Sequence, residues 1–85
     1  MNEQDIVRLK DAYRRLVSVY RGMKDETASP REYWAACAEL LRARESVPPE
    51  RAWYQVRHDG YIVMIEPDDR IIVYPDSHIR DLEDI

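Results

Sequence analysis

Ile6, Leu9, Tyr13, Leu16, Tyr20 and Met23 recur at alternating intervals of three and four. That spacing lays one apolar stripe along a helix, widened by Ala12 and Val17. It predicts a helix over residues 3–24. Asn2 is placed to cap its start, and Asp5 suits the positive end of the helix dipole. Arg21 and Lys24 suit the opposite end, and Gly22 weakens the last turn, so the helix is expected to stop near Asp25.

After a loop over 25–29, Ser29-Pro30-Arg31-Glu32 carries a helix start. Ser29 fits the N-cap, Pro30 the first helical position, and Glu32 the third, closing a capping box. Tyr33, Ala36, Cys37, Leu40 and Leu41 then share a face, with Trp34 at its edge. Pro48-Pro49 forbids continuation, so the predicted helix covers 30–46.

From Ala52 the period drops to two. Strands are predicted over 53–58, 61–66 and 70–74. Asp59-Gly60 is a two-residue hairpin signal, because both central positions of a type I′ turn need positive φ. It pairs His58 with Tyr61, Val56 with Val63 and Tyr54 with Ile65. Pro67-Asp68-Asp69 supplies the second turn, and Pro75 ends the third strand. Ile79, Leu82 and Ile85 stand three apart, which suggests a short helix over 77–84. The expected domain is α+β, one unit over 1–85: two amphipathic helices on a three-stranded antiparallel meander, with a short C-terminal helix.

In the Asp59-Gly60 register Tyr54, Val56, Tyr61, Val63 and Ile65 form the core face. Trp53, Gln55, Arg57, Ile62, Met64 and Glu66 form the other, joined by Ile72 or Tyr74. A solvated face would read polar throughout, and this one does not. Either the C-terminal segment or another polypeptide is expected to cover it. The expected protein-binding residues are Trp53, Ile62, Met64 and Tyr74. The expected partner is a protein, with a second copy of the chain one candidate, through this face or through the third strand as a free edge.

Charge changes this picture at the two ends. Overall the chain is acidic, with 17 acids, 13 bases and a net charge of −4. Residues 1–24 sum to +3, residues 25–51 to −2 and residues 52–85 to −5. Lys10, Arg14 and Arg21 line up on the first helix as a basic stripe, one candidate for a phosphate backbone. No aromatic residue interleaves with it, and the net charge argues against nucleic acid as a partner. Glu66, Asp68, Asp69, Asp76, Asp81, Glu83 and Asp84 form an acidic end. A patch of that kind suits a basic partner, or an antagonist of the sort phages and mobile elements encode, which imitates nucleic acid.

Candidate chemistry is thin. His58 and His78 are the only histidines; His78 and Asp81 make an i, i+3 pair with Asp76 near, but a metal site needs three or four ligands with a second shell. Cys37, the only cysteine, lies on an apolar helix face and reads as core. Gly22 and Gly60 cannot build a phosphate-binding loop. Asp68-Asp69 is a turn pair, not a spaced acid–base couple. No catalytic residue, cofactor, metal or small-molecule substrate is expected. The longest apolar run, Tyr33 to Ala38, is far short of a membrane span, and charges at Glu3, Asp5, Arg8 and Lys10 replace the apolar start of a secretory leader. With no disulfide available, the expected compartment is the cytoplasm.

Overall fold

The computed structural model describes residues 2–76 and 82–85. Helix α1 covers Glu3–Lys24, and the Asn2 side chain accepts from the Gln4 backbone N–H as its N-cap. At the other end Glu26 takes positive φ of 63°, the Thr27 N–H donates to the Gly22 carbonyl, and the Glu26 N–H donates to that of Met23. This is a Schellman closure, built here on a glutamate where glycine is the usual choice. Ala28 comes so close to Gly22 that a Cβ there would lie 2.9 Å from its methyl group.

Helix α2 covers Pro30–Glu45. Its capping box forms as the sequence predicts: the Ser29 N–H donates to Glu32 Oε2 at 2.7 Å, and the Glu32 N–H donates to Ser29 Oγ. Ser29→Ala removes one half of that exchange and is expected to cost about 1 kcal/mol, read as a lowered Tm with an unchanged far-ultraviolet spectrum. A 3-10 turn at Pro49–Arg51 follows, which the sequence pattern does not anticipate.

The sheet differs from the expected meander. Strands β1 (Gln55–His58), β2 (Tyr61–Ile65) and β3 (Ile71–Pro75) form it, but a fourth, β4 (Glu83–Asp84), joins in parallel beside β1. The order is β3-β2-β1-β4, so the sheet is mixed and four-stranded. No C-terminal helix is seen among the described residues. Residues 83 and 84 are extended, and 77–81 lie outside the described residues. The Ile85 N–H donates to the Arg57 carbonyl, and Ile85 packs against the core. The three-residue spacing that suggested a helix gives way to backbone pairing with β1.

The hairpin register is the predicted one, Val56 opposite Val63 and His58 opposite Tyr61. Asp59 and Gly60 have φ of 52° and 82°, as a type I′ turn requires. In the second turn the Asp69 N–H donates to the Glu66 carbonyl, and Asp69 takes positive φ, which makes a type I turn closed by a left-handed residue. β3 begins at Ile71 and includes Pro75, one residue later at each end than expected.

The helices pack against each other and on one face of the sheet, with α1 resting on β1 and β2. Leu9, Tyr13, Leu16 and Val17 from α1 meet Ala36, Cys37, Leu40 and Ala43 from α2 above Val56, Val63, Ile65 and Val73. The Tyr13 hydroxyl donates to the Trp53 carbonyl and so ties α1 to the approach of β1. Tyr20 stacks edge-on to Tyr61 at the far end of the same layer.

Candidate docking groove beside the β3 edge

The residues expected to form one binding face are separated by the fold. β1 starts at Gln55, so strand alternation does not reach Trp53. Trp53 packs on the helix side against the core, with Lys10 Nζ 5.6 Å from its ring centroid. Tyr54, expected in the core, is instead 47% exposed and lies under the Arg44 guanidinium. Ile62 is fully buried. Arg57 on β1 and Asp76 beyond β3 form a half-buried ion pair at 2.8 Å that bridges over β2 in the row of Ile62. Met64, Ile72 and Tyr74 remain half-buried on this outer face. What is left there is much smaller than the expected patch, and Ile62 cannot contact another molecule.

The acidic residues are also dispersed. Asp68 and Asp69 sit at the β2–β3 turn and Asp76 at the opposite end of the sheet, while Glu83 and Asp84 form the β4 edge. Several are matched by cations: Asp69 by Arg44, Asp68 by Arg70 and Asp76 by Arg57. Glu66 is half-buried next to the turn, and Asp81 lies outside the described residues. The basic stripe is likewise engaged: Lys10 on Trp53, Arg14 with Asp11 and Arg21 with Asp59. Among the described residues, these pairings interrupt both sets.

Titratable groups near the core have structural roles. Burial pushes the Tyr13 and Tyr33 phenols well above their ordinary value, and burial raises the Cys37 thiol against a hydrogen bond with Tyr33 that lowers it. A thiol held protonated in the core is a poor nucleophile. Glu39 accepts from Arg8 across the two helices, which holds its carboxyl below the usual range. His58 donates from Nδ1 to the backbone oxygen of Ile85, pinning β4. His78 lies outside the described residues. Among the described residues no group of three or more His, Cys, Asp or Glu is placed to hold a metal ion.

One surface feature stands out instead. Trp34 is 67% exposed, the most exposed of the large apolar side chains that lie open among the described residues. It stands edge-on to Tyr33 at 5.6 Å. With Cys37, Ala38 and Leu41 it forms the α2 wall of a groove of about 340 Å³. Ile71 of β3 is the floor, and Asp69 and Arg70 close one end. Because β3 is an outer strand among the described residues, the groove opens onto a sheet edge that none of the described strands covers. The α2 periodicity places Trp34 at the border of the buried stripe. The feature that turns it into a wall is the edge position of β3, which no local pattern encodes.

Comparison with known proteins finds no matching family model, no matching curated protein and no matching solved structure. Among the described residues no helix is long and apolar enough to cross a membrane.

Proposed function

We propose that this chain is a non-catalytic protein-binding domain whose contact surface is the groove between α2 and the β3 edge. The exposure of Trp34 carries this reading. Tryptophan gives much contact area for few rotatable bonds and is enriched among residues that dominate binding energy. Leaving it in water beside Ala38 and Leu41 costs solubility that a polar residue would not. The dispersal and internal pairing of the acids weigh against nucleic-acid mimicry, and the engagement of Lys10 and Arg21 weighs against nucleic-acid binding.

The test compares three proteins immobilised in parallel: the wild type, Trp34→Ala and Met64→Lys. Proteins retained from an extract of the source organism are identified, purified and titrated individually. Trp34→Ala is expected to weaken a genuine partner by about tenfold or more, the usual cost of truncating an anchoring tryptophan. Met64→Lys, on the outer face, is expected to leave binding unchanged. Equal binding by the wild type and Trp34→Ala, with loss in Met64→Lys, would move the contact to the outer sheet face and refute the groove.

A further inference from the structure

The backbone of β3 says what kind of segment the groove takes. The Asp76 N–H donates to the Gly60 carbonyl at 2.9 Å, and the Glu66 N–H donates to the Arg70 carbonyl at 2.8 Å. Between these bonds Ile62 pairs with Tyr74 and Met64 with Ile72. Antiparallel ladders alternate, so residues 70, 72, 74 and 76 turn their N–H and C=O toward β2. Ile71, Val73 and Pro75 therefore turn theirs outward. The free edge offers two N–H donors and three carbonyl acceptors, since Pro75 has no N–H.

The other edge is guarded differently. β4 has two residues, both acids. Short, charged edge strands resist pairing. β3 has five residues, none charged, and its one guard is Pro75 at the end. An apolar wall above a ladder that is open at Ile71 and Val73 is the arrangement that receives an added strand.

A second copy of the chain is a poor occupant. α1 rests on β1 and β2, and α2 packs against it on the β3 side. Packed helices lie ~8–10 Å apart, about the width of two strands, which sets α2 over the edge strand itself. Pairing β3 with its own copy about a two-fold axis would place two edge strands ~4.8 Å apart with both α2 helices on the same face. The helices would then overlap. A segment that brings no helix on that face has room.

Resting on the protein-binding reading above, we propose that the β3 edge takes up an extended segment of a partner protein as a fifth strand. Its backbone pairs with Ile71 and Val73. Its alternate apolar side chains seat between Trp34, Ala38, Leu41 and Ile71. At the Asp69–Arg70 end the lining carries both signs, so a polar residue of the segment is expected to face it.

The probe is a displayed library of random dodecapeptides, selected on the full chain and then synthesised for titration. Selected peptides are expected to alternate apolar and polar residues and to slow hydrogen exchange at the Ile71 and Val73 amides. Trp34→Ala is expected to weaken them about tenfold or more. Ile71→Pro removes one outward donor while leaving the β2 ladder intact, and should weaken them about fivefold or more. If that variant does not fold, the backbone N-methyl analogue of each peptide supplies the same loss from the other side. Loss in Trp34→Ala with none in Ile71→Pro or the methylated peptides would keep the protein-binding reading and overturn strand addition. No loss in either would overturn both. Peptides that bind as helices, or a wild-type dimer that itself protects Ile71 and Val73, would also overturn strand addition.

Discussion

Tyr13→Ala is expected to remove about 4–6 kcal/mol, the sum of a large cavity and a lost hydrogen bond. A domain of this length holds only about 4–13 kcal/mol in total, so the variant should be largely unfolded or close to it. Tyr13 is fully buried at the junction of α1, α2 and β1, and its hydroxyl donates to the Trp53 carbonyl. Tyr13→Phe keeps the ring and should cost about 1–2 kcal/mol, because the carbonyl loses its donor. Urea titration separates the two. The same phenol sets an alkaline limit. Burial holds its folded-state pKa above the ordinary 10.0. Between those values the folded chain keeps a proton that the unfolded chain has released. Stability is therefore undiminished below pH 10.0 and falls as pH rises beyond it. Tyr33 contributes in the same direction, so Tyr13→Phe should flatten the alkaline decline without abolishing it.

Ile62→Ala is expected to cost about 2–4 kcal/mol, as for a core isoleucine, although Ile62 faces away from both helices. An isoleucine on an open sheet face would cost less than about 1 kcal/mol. The larger value follows from its complete burial and from the Arg57–Asp76 pair that spans its row. Chemical denaturation of Ile62→Ala and Met64→Ala side by side measures the difference. A small, equal effect at both positions would mean that the outer face is uncovered.

Much of this fold is written locally. The α1 stripe, the Ser29–Glu32 box and the Asp59-Gly60 turn each lie within a few residues, and the structure reproduces all three. The errors arise where partners are distant. Ile79, Leu82 and Ile85 fit a helix by spacing, but Glu83 and Asp84 gain hydrogen bonds from β1 that no neighbouring residue reveals. Strand alternation gives Trp53 a face only if it extends two residues before β1 begins, where the chain still follows the 3-10 turn. Tyr54 likewise lies before β1, where strand alternation does not fix its side, and its exposed ring lies under the Arg44 guanidinium. Trp34 could be placed on a helix edge from sequence. Its groove could not, because that depends on which strand ends the sheet.

The long-range attachment of β4 also has a kinetic meaning. The hairpins close loops of a few residues, whereas His58 and Ile85 meet across 27. Loop closure of that span is slower and entropically dearer than a tight turn, so β1–β2–β3 can assemble before β4 docks. Until then both sides of the sheet are unpaired. The reverse step follows in the native state: β4 is held by two paired residues, the Ile85 contacts and one histidine, so it opens at lower free energy than the helical core. Each opening uncovers the Arg57 carbonyl and lends the molecule a second adhesive edge for as long as β4 is away. Glu83 and Asp84 then matter twice, as a short plug while docked and as repelling charges that discourage detached segments from exchanging between molecules.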